Sequence, residues 1–258
     1  MGAVFLLSPA CEVAVSLDGL QGGCPPHPGP TAVKVQATPD TAFCIDSTEV
    51  TNDQYAVFLA AIASSPDTVR GLLGAGCPGA MTNFTPNDPM STTGVWPAPP
   101  GYPVVWVNWC DAYAYCKWAG KRLCGQIGRG SLVASTGLTT QDIGFYQWIN
   151  ACSGSDEMLV YPYGNQYEPG VCVGGGGAIA PVASDPGCVG GYPGIYDMSG
   201  NVWEWVDACT DSTDFMAFCS SLGGGFDSPE TSLTCLSQRW WTRVDGAADL
   251  GFRCCADL

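Results

Sequence analysis

Positive charge is scarce in this chain. Lysine and arginine together number 9 against 24 acidic residues, a formal net charge of −15 at neutral pH. So acidic a surface repels phosphate backbones and anionic lipid headgroups, which argues against nucleic acid as a partner. Histidine is scarcer still. The single one, His27, sits in Cys24-Pro-Pro-His-Pro-Gly-Pro30, a setting too proline-rich for a rigid site. No C-x-x-C spacing occurs, so the usual zinc and iron–sulfur patterns are missing. No apolar run is long enough to span a bilayer, and there is no internal repeat.

What the chain has in abundance is cysteine, glycine and proline. Fifteen cysteines without metal-binding spacings point to disulfides and hence to an oxidising, extracytoplasmic compartment. The odd count has a candidate explanation in the opening Met1-Gly-Ala-Val-Phe-Leu-Leu-Ser-Pro-Ala-Cys11, an apolar run ending in small residues before a cysteine, like the tail of a lipoprotein signal. A lipid on Cys11 would leave fourteen cysteines for pairing and would be the only membrane attachment. The run lacks a basic start, so a truncated signal or an ordinary buried strand fits it equally. Gly (34) and Pro (20) favour turns and irregular loops over long regular elements. At 258 residues with 46% hydrophobic content, one large core is the natural expectation. The reading is a signal-like start and Gly/Pro-rich tether over residues 1–40, then one folded domain over 41–258.

Within that domain, Thr51-Asn-Asp-Gln54 has the form of a capping box, predicting a helix with Tyr55, Phe58, Leu59 and Ile62 on its buried face. Residues 69–101 read as a long surface excursion held by Cys77. Val104–Val107 reads as a buried strand, and Asn108 as the cap of a second helix that Gly120 ends and that points Cys116 inward. A third helix is predicted over Gln141–Ala151, capped by Thr139 or Thr140, with Phe145, Trp148 and Ile149 packing. Gly174–Gly177 lacks the flanking strand, helix and lysine of a phosphate cradle and is a loop.

The stretch Tyr196-Asp-Met-Ser-Gly-Asn-Val-Trp-Glu-Trp205 is the most informative. Two carboxylates, Asp197 and Glu204, flank a tight Ser-Gly-Asn turn, so that side-chain and backbone oxygens can converge on one hard cation. Trp203 and Trp205 follow at period two, the pattern of a strand that buries one face. The competing reading is a turn whose Glu204 pairs with Arg253 or Arg243.

This stretch, with Ile45-Asp-Ser-Thr-Glu-Val-Thr-Asn52, Pro103-Val-Val-Trp-Val-Asn-Trp109, Ala114-Tyr-Cys-Lys-Trp-Ala-Gly-Lys-Arg-Leu123, Tyr161-Pro-Tyr-Gly-Asn165, Gly223-Gly-Gly-Phe226 and Gly251-Phe-Arg-Cys254, resembles the formylglycine-generating enzyme (sulfatase-modifying factor) family in order and content. The resemblance implies a loop-rich α+β fold, a variant of the C-type-lectin-like fold. That scaffold carries oxidases, iron-dependent sulfoxide synthases and binding domains alike. It also implies structural calcium at Asp197, Gly200, Val202 and Glu204, and disulfides joining Cys116 to Cys254 and Cys152 to Cys235. Active family members hold copper(I) between two thiolates shortly after a Gly-Gly-Ser-Phe strand. Here Ser228 stands where the first thiolate is expected, and Cys235 is the one cysteine left in the region. A serine hydroxyl cannot replace a thiolate on a soft metal. The iron-dependent branch needs histidines, and the single His27 in its proline-rich segment cannot form such a centre. The adjacent Cys254 and Cys255 are expected to point to opposite faces of a strand and to bridge different partners.

Trp240 and Trp241, next to Arg239, would lie near the cleft that holds substrate in active relatives and suit a peptide or glycan. The expected function is therefore a secreted or lipid-anchored recognition or structural module on a calcium-stiffened scaffold. Its ligand would be a protein, peptide or glycan. The alternative is a copper- and O2-dependent oxidase that converts a sulfatase cysteine to formylglycine, with Cys235 as its catalytic residue.

Overall fold

Glycine and proline divide the chain into short elements. The computed structural model describes residues 23–64, 71–78, 83–87 and 99–258, apart from 129, 135, 136 and 156. Among them run β1 (Ala32–Thr38), β2 (Thr41–Asp46), α1 (Asn52–Ser64), α2 (Trp109–Trp118), β3 (Arg122–Leu123) and β4 (Leu132–Val133). A 3-10 turn (Thr140–Gly144), α3 (Gln147–Ser153), β5 (Trp203–Cys209), β6 (Phe218–Leu222), β7 (Gln238–Thr242), β8 (Leu250–Phe252) and β9 (Cys254–Asp257) complete an α+β, loop-rich fold.

One antiparallel sheet has the order β1-β2-β9-β3. The other follows β4-β5-β6-β7, with β8 joining β5 in parallel. Strand β5 is buried at every residue, so neither of its faces can be polar and each carries a core. Trp203 and Trp205 enter a cluster with Tyr55, Phe58, Tyr115 and Phe252, while Val206 and Ala208 enter another with Phe43, Ile45, Trp148 and Ile149. The period-two tryptophans thus mark one face of a strand that is covered on both.

Local signals placed two helices well. At α1 the Thr51 amide donates to Gln54 Oε1 at 3.0 Å, and Tyr55, Phe58 and Ile62 point inward. At α2, Asn108 and Asp111 form a reciprocal capping box, 3.0 and 2.9 Å, and Gly120 at φ 73° follows its end. Three expectations are corrected. Residues 32–38 were expected in a tether but form β1, paired along β2 and tied down by the Cys24–Cys44 disulfide. Val104–Val107 is buried at both ends but is no strand, because Trp106 sits at φ 61° and turns the chain so that its amide reaches the Ala247 carbonyl. The helix expected over 141–151 is split into the Thr139-capped 3-10 turn and α3, leaving Phe145 at the break 54% exposed.

The fourteen cysteines from Cys24 onward form seven disulfides. Strand β9 sends Cys254 to Cys116 of α2 and Cys255 to Cys124, on opposite faces, closing separations of 138 and 131 residues. Loops of that length stabilise most by restricting the unfolded chain. Cys77 is bridged to Cys110, at the start of α2. The signal-like start and Cys11 lie outside the described residues, as does much of the 69–101 excursion.

Candidate functional site

The turn that leads into β5 is held by backbone conformations that most residues avoid: Asp197, Gly200 and Asn201 have φ of 59°, 78° and 55°. At Gly200 a Cβ would lie 1.8 Å from the Val173 carbonyl oxygen, so glycine is obligatory there. The turn delivers Glu204 into the interior. Glu204 Oε2 accepts from Trp148 Nε1 and Arg253 Nε, and Oε1 from Arg253 Nη2, all at 2.7 Å. Arg253 also donates to the carbonyls of Asp46 (3.1 Å) and Tyr196 (2.8 Å). Of the two readings of Glu204, its pairing with Arg253 is present.

Two further carboxylates crowd this pair. Asp197 accepts from the Ala183 amide at 2.6 Å, and buried Glu49 accepts from Asn201 Nδ2 at 2.9 Å through Oε1. Glu49 Oε2 is buried without a partner. Burial first, then repulsion from Asp197, holds the Glu49 carboxyl well above the usual range; burial, opposed by the Ala183 N–H, pushes Asp197 up to about 6. Glu204 and its neighbours outweigh burial on Arg253 and keep it charged. Three carboxyl groups face one guanidinium in a buried space, so ionising all of them would leave surplus negative charge there.

That surplus and the orphaned Glu49 oxygen fit a bound cation. Glu204 Oε1 carries one hydrogen bond and retains a lone pair for a metal, whereas Oε2 carries two. Calcium at this turn would therefore take Glu204 through one oxygen, with Asp197 and the carbonyls of Gly200 and Val202, and with Glu49 close by. Among the described residues no three His, Cys, Asp or Glu side chains converge as ligands, so such a site would depend on backbone carbonyls.

The segment after β6 is equally constrained. Gly223 and Gly224 have φ of 95° and 82°, and a Cβ on Gly224 would lie 2.3 Å from the Ser232 carbonyl oxygen. Ser228 is buried, and its Oγ accepts from the Gly225 amide at 2.9 Å. Cys235 is fully buried and bridged to Cys152 of α3. The two disulfides implied by the family resemblance, Cys116–Cys254 and Cys152–Cys235, are both present. On edge strand β7, Arg239 lies 4.0 Å from the Trp241 ring centroid and pairs with Asp249 at 2.9 Å, while Trp240 projects to the opposite face. The expected cleft trio is thus divided: Arg239 and Trp241 share a face, and Trp240 does not.

From the sequence, Trp148 was expected only to pack and Glu49 was only part of a motif; neither was expected at the site, where Trp148 donates to Glu204 and Glu49 accepts from Asn201. Glu49 carries little local signal, standing in the polar stretch Asp46-Ser-Thr-Glu-Val-Thr-Asn52.

The family model described as sulfatase-modifying factor enzyme 1-like domain matches residues 31–258, and the chain belongs to that family. A Bos taurus protein named inactive C-alpha-formylglycine-generating enzyme 2 is 30% identical over 170 residues, 59% of this chain and 50% of its own length. The formylglycine-generating enzyme of Thermomonospora curvata is 28% identical over 274 aligned positions, covering 83% of this chain and 82% of its own. This chain thus spans half the length of the bovine relative. Among solved structures, CarF superposes with a TM-score of 0.52 at 22% identity, covering 84% of this chain and 87% of its own. PvdO from Pseudomonas aeruginosa gives 0.50 at 18%, covering 90% and 92%. At such identities these two structures establish the fold alone.

Proposed function

We propose that this chain is an extracytoplasmic, secreted or lipid-anchored member of the sulfatase-modifying factor family that lacks the copper-binding cysteine pair and serves as a recognition or structural module. One observation carries the reading: Cys235, the one cysteine left after the Gly223–Phe226 segment, is consumed by a disulfide to Cys152, and by the family resemblance Ser228 stands where the first thiolate is expected. Two thiolates are what a soft monovalent copper ion needs, and disulfide sulfur does not supply them. The relatives' names span both active and inactive proteins, so this chain's own residues must decide. Seven disulfides suit an oxidising compartment, and no helix among the described residues is long and apolar enough to cross a membrane. Calcium held at the Asp197–Glu204 turn would stiffen the scaffold.

The test combines alkylation of the non-reduced protein, read by mass spectrometry, with copper(I) titration and incubation with a sulfatase-derived cysteine peptide. No alkylated thiol from Cys24 onward, no stoichiometric copper and no formylglycine are expected. Peptide turnover abolished by replacing Cys235 would restore the copper- and O2-dependent oxidase.

A further inference from the structure

A second polar cleft lies apart from the turn, where the start of α2 meets the end of β5. It measures about 110 Å³, and its walls include Trp109, Tyr113, Ser131, Asp207, Ser212 and Arg243. By the usual share of liquid volume this is room for three or four waters, about one hydroxylated edge of a small ring. Ser131 and Ser212 are exposed at its mouth, whereas Asp207 and Arg243 are 7% and 1% exposed.

Neither charged group has an ion-pair partner at contact distance among the described residues, and a buried polar group without a partner, as Arg243 Nε is, costs free energy. Asp207 makes none of the four ion pairs found among the described residues, and its one side-chain hydrogen bond comes from Ser131 Oγ at 2.6 Å. Burial lifts its carboxyl above the usual range. Among the described residues Arg243 likewise has no carboxylate at ion-pair distance, although Asp207, Asp211 and Asp214 attract it from farther off; its terminal nitrogens donate to the carbonyls of Asp211 (2.7 Å), Asp214 (2.9 Å) and Ala75 (3.2 Å). Its Nε–H is buried and unpartnered. The seat for this side chain is specific, since a Cβ at Gly76 would lie 1.6 Å from Arg243 Nη1. Beside the two charges stands an aromatic stack: Tyr113 lies 5.0 Å from Trp109 with planes 25° apart, and the Arg243 guanidinium covers Trp109 at 4.8 Å.

The occupant follows from the charges. An anion meets Asp207, and a cation meets Arg243. A neutral polyhydroxylated ligand suits both, with one hydroxyl donating to Asp207, its neighbour lying toward the Arg243 guanidinium, and the apolar ring face along Tyr113. We propose that the cleft between Trp109, Tyr113, Asp207 and Arg243 binds one edge of a sugar through adjacent hydroxyls. This deepens the recognition reading and names its ligand class.

Saturation-transfer NMR on the intact protein tests it, with glucose, galactose, mannose and N-acetylglucosamine as probes and acetate and methylammonium as charged comparators. At least one sugar is expected to bind, and Asp207→Asn to weaken it tenfold or more with an unchanged circular dichroism spectrum. Ser131→Ala, at the exposed mouth, supplies a second variant expected to fold normally and to weaken binding severalfold. Binding of no sugar, preference for either charged comparator, or unaltered sugar affinity in both variants would overturn the proposal. None of these results bears on the absence of a copper site, which the thiol count and copper titration decide separately.

Discussion

Arg253 Nε lies 2.7 Å from Glu204 Oε2 and Arg253 Nη2 lies 2.7 Å from Glu204 Oε1, a two-pronged ion pair with both side chains essentially excluded from solvent. Strand β8 ends immediately before Arg253, and β5 contains Glu204, so the pair clamps the C-terminal part of the chain to the central strand. Removing one partner strands the other's charge in the interior. Glu204→Gln should therefore cost roughly 3–5 kcal/mol of stability. Asp211→Asn on the exposed loop retains an acceptor for the Thr213 and Asp214 amides and should leave the denaturation midpoint nearly unchanged. Equal losses in the two variants, measured by chemical denaturation, would count against a structural role for Glu204.

The crowding of the Glu49, Asp197 and Glu204 carboxyls, whose full ionisation needs a further cation, sets the second expectation. An ion that binds only the native state stabilises it by mass action, about 2.7 kcal/mol at a hundredfold excess over Kd. Chelation should lower the melting temperature, and calcium should restore it. Glu49→Gln removes one charge from the cluster and should reduce the calcium-dependent increment. A melting curve indifferent to chelator would refute the ion.

Asp111 gives the pH dependence. Its Oδ2 accepts from the Asn108 amide, but Oδ1 is buried without a partner, and burial pushes the carboxyl up to about 8. The unfolded chain loses that proton near the ordinary value of 3.8, so between the two values the folded state holds more protons. Stability from this group is complete at low pH and is lost as pH rises through about 8. Scanning calorimetry in chelator should show a melting temperature that falls from pH 5 to pH 8.5. Asp111→Asn, which keeps an acceptor for the Asn108 amide, should flatten the fall by at least about 1.4 kcal/mol, the equivalent of one pK unit. An unchanged slope in the variant would show that other groups set it.

Residues close in sequence were the legible part of this fold. Thr51 and Asn108 announced α1 and α2 because a helix cap is satisfied within one turn of chain. Asp197 and Glu204 were visible because both flank one turn. Glu49 and Asp207 gained their meaning only from partners far along the chain, Glu49 from Asn201 and Asp207 from Ser131, which no local pattern encodes. The false strand at Val104–Val107 failed for a related reason: a run of β-branched residues says strand, while packing of Gly246 against the Trp106 backbone imposes a turn. Strand β1 was missed because its half-exposed residues and glycine-rich approach read as a linker.

The Cys152–Cys235 bridge supplies the last test. It ties α3 to the segment after Ser228 across a separation of 83 residues, and closing so long a loop is worth roughly 4 kcal/mol in the chain-entropy account. Replacing both cysteines by alanine should therefore lower stability by about 2–5 kcal/mol. If the bridge is purely structural, the folded fraction of the double variant should bind sugar at the Asp207 cleft with unchanged affinity, because Asp207, Arg243 and Tyr113 lie on other elements. Loss of an oxidase activity in that variant, at a temperature where circular dichroism shows it folded, would instead identify Cys235 as a working thiol that the bridge conceals.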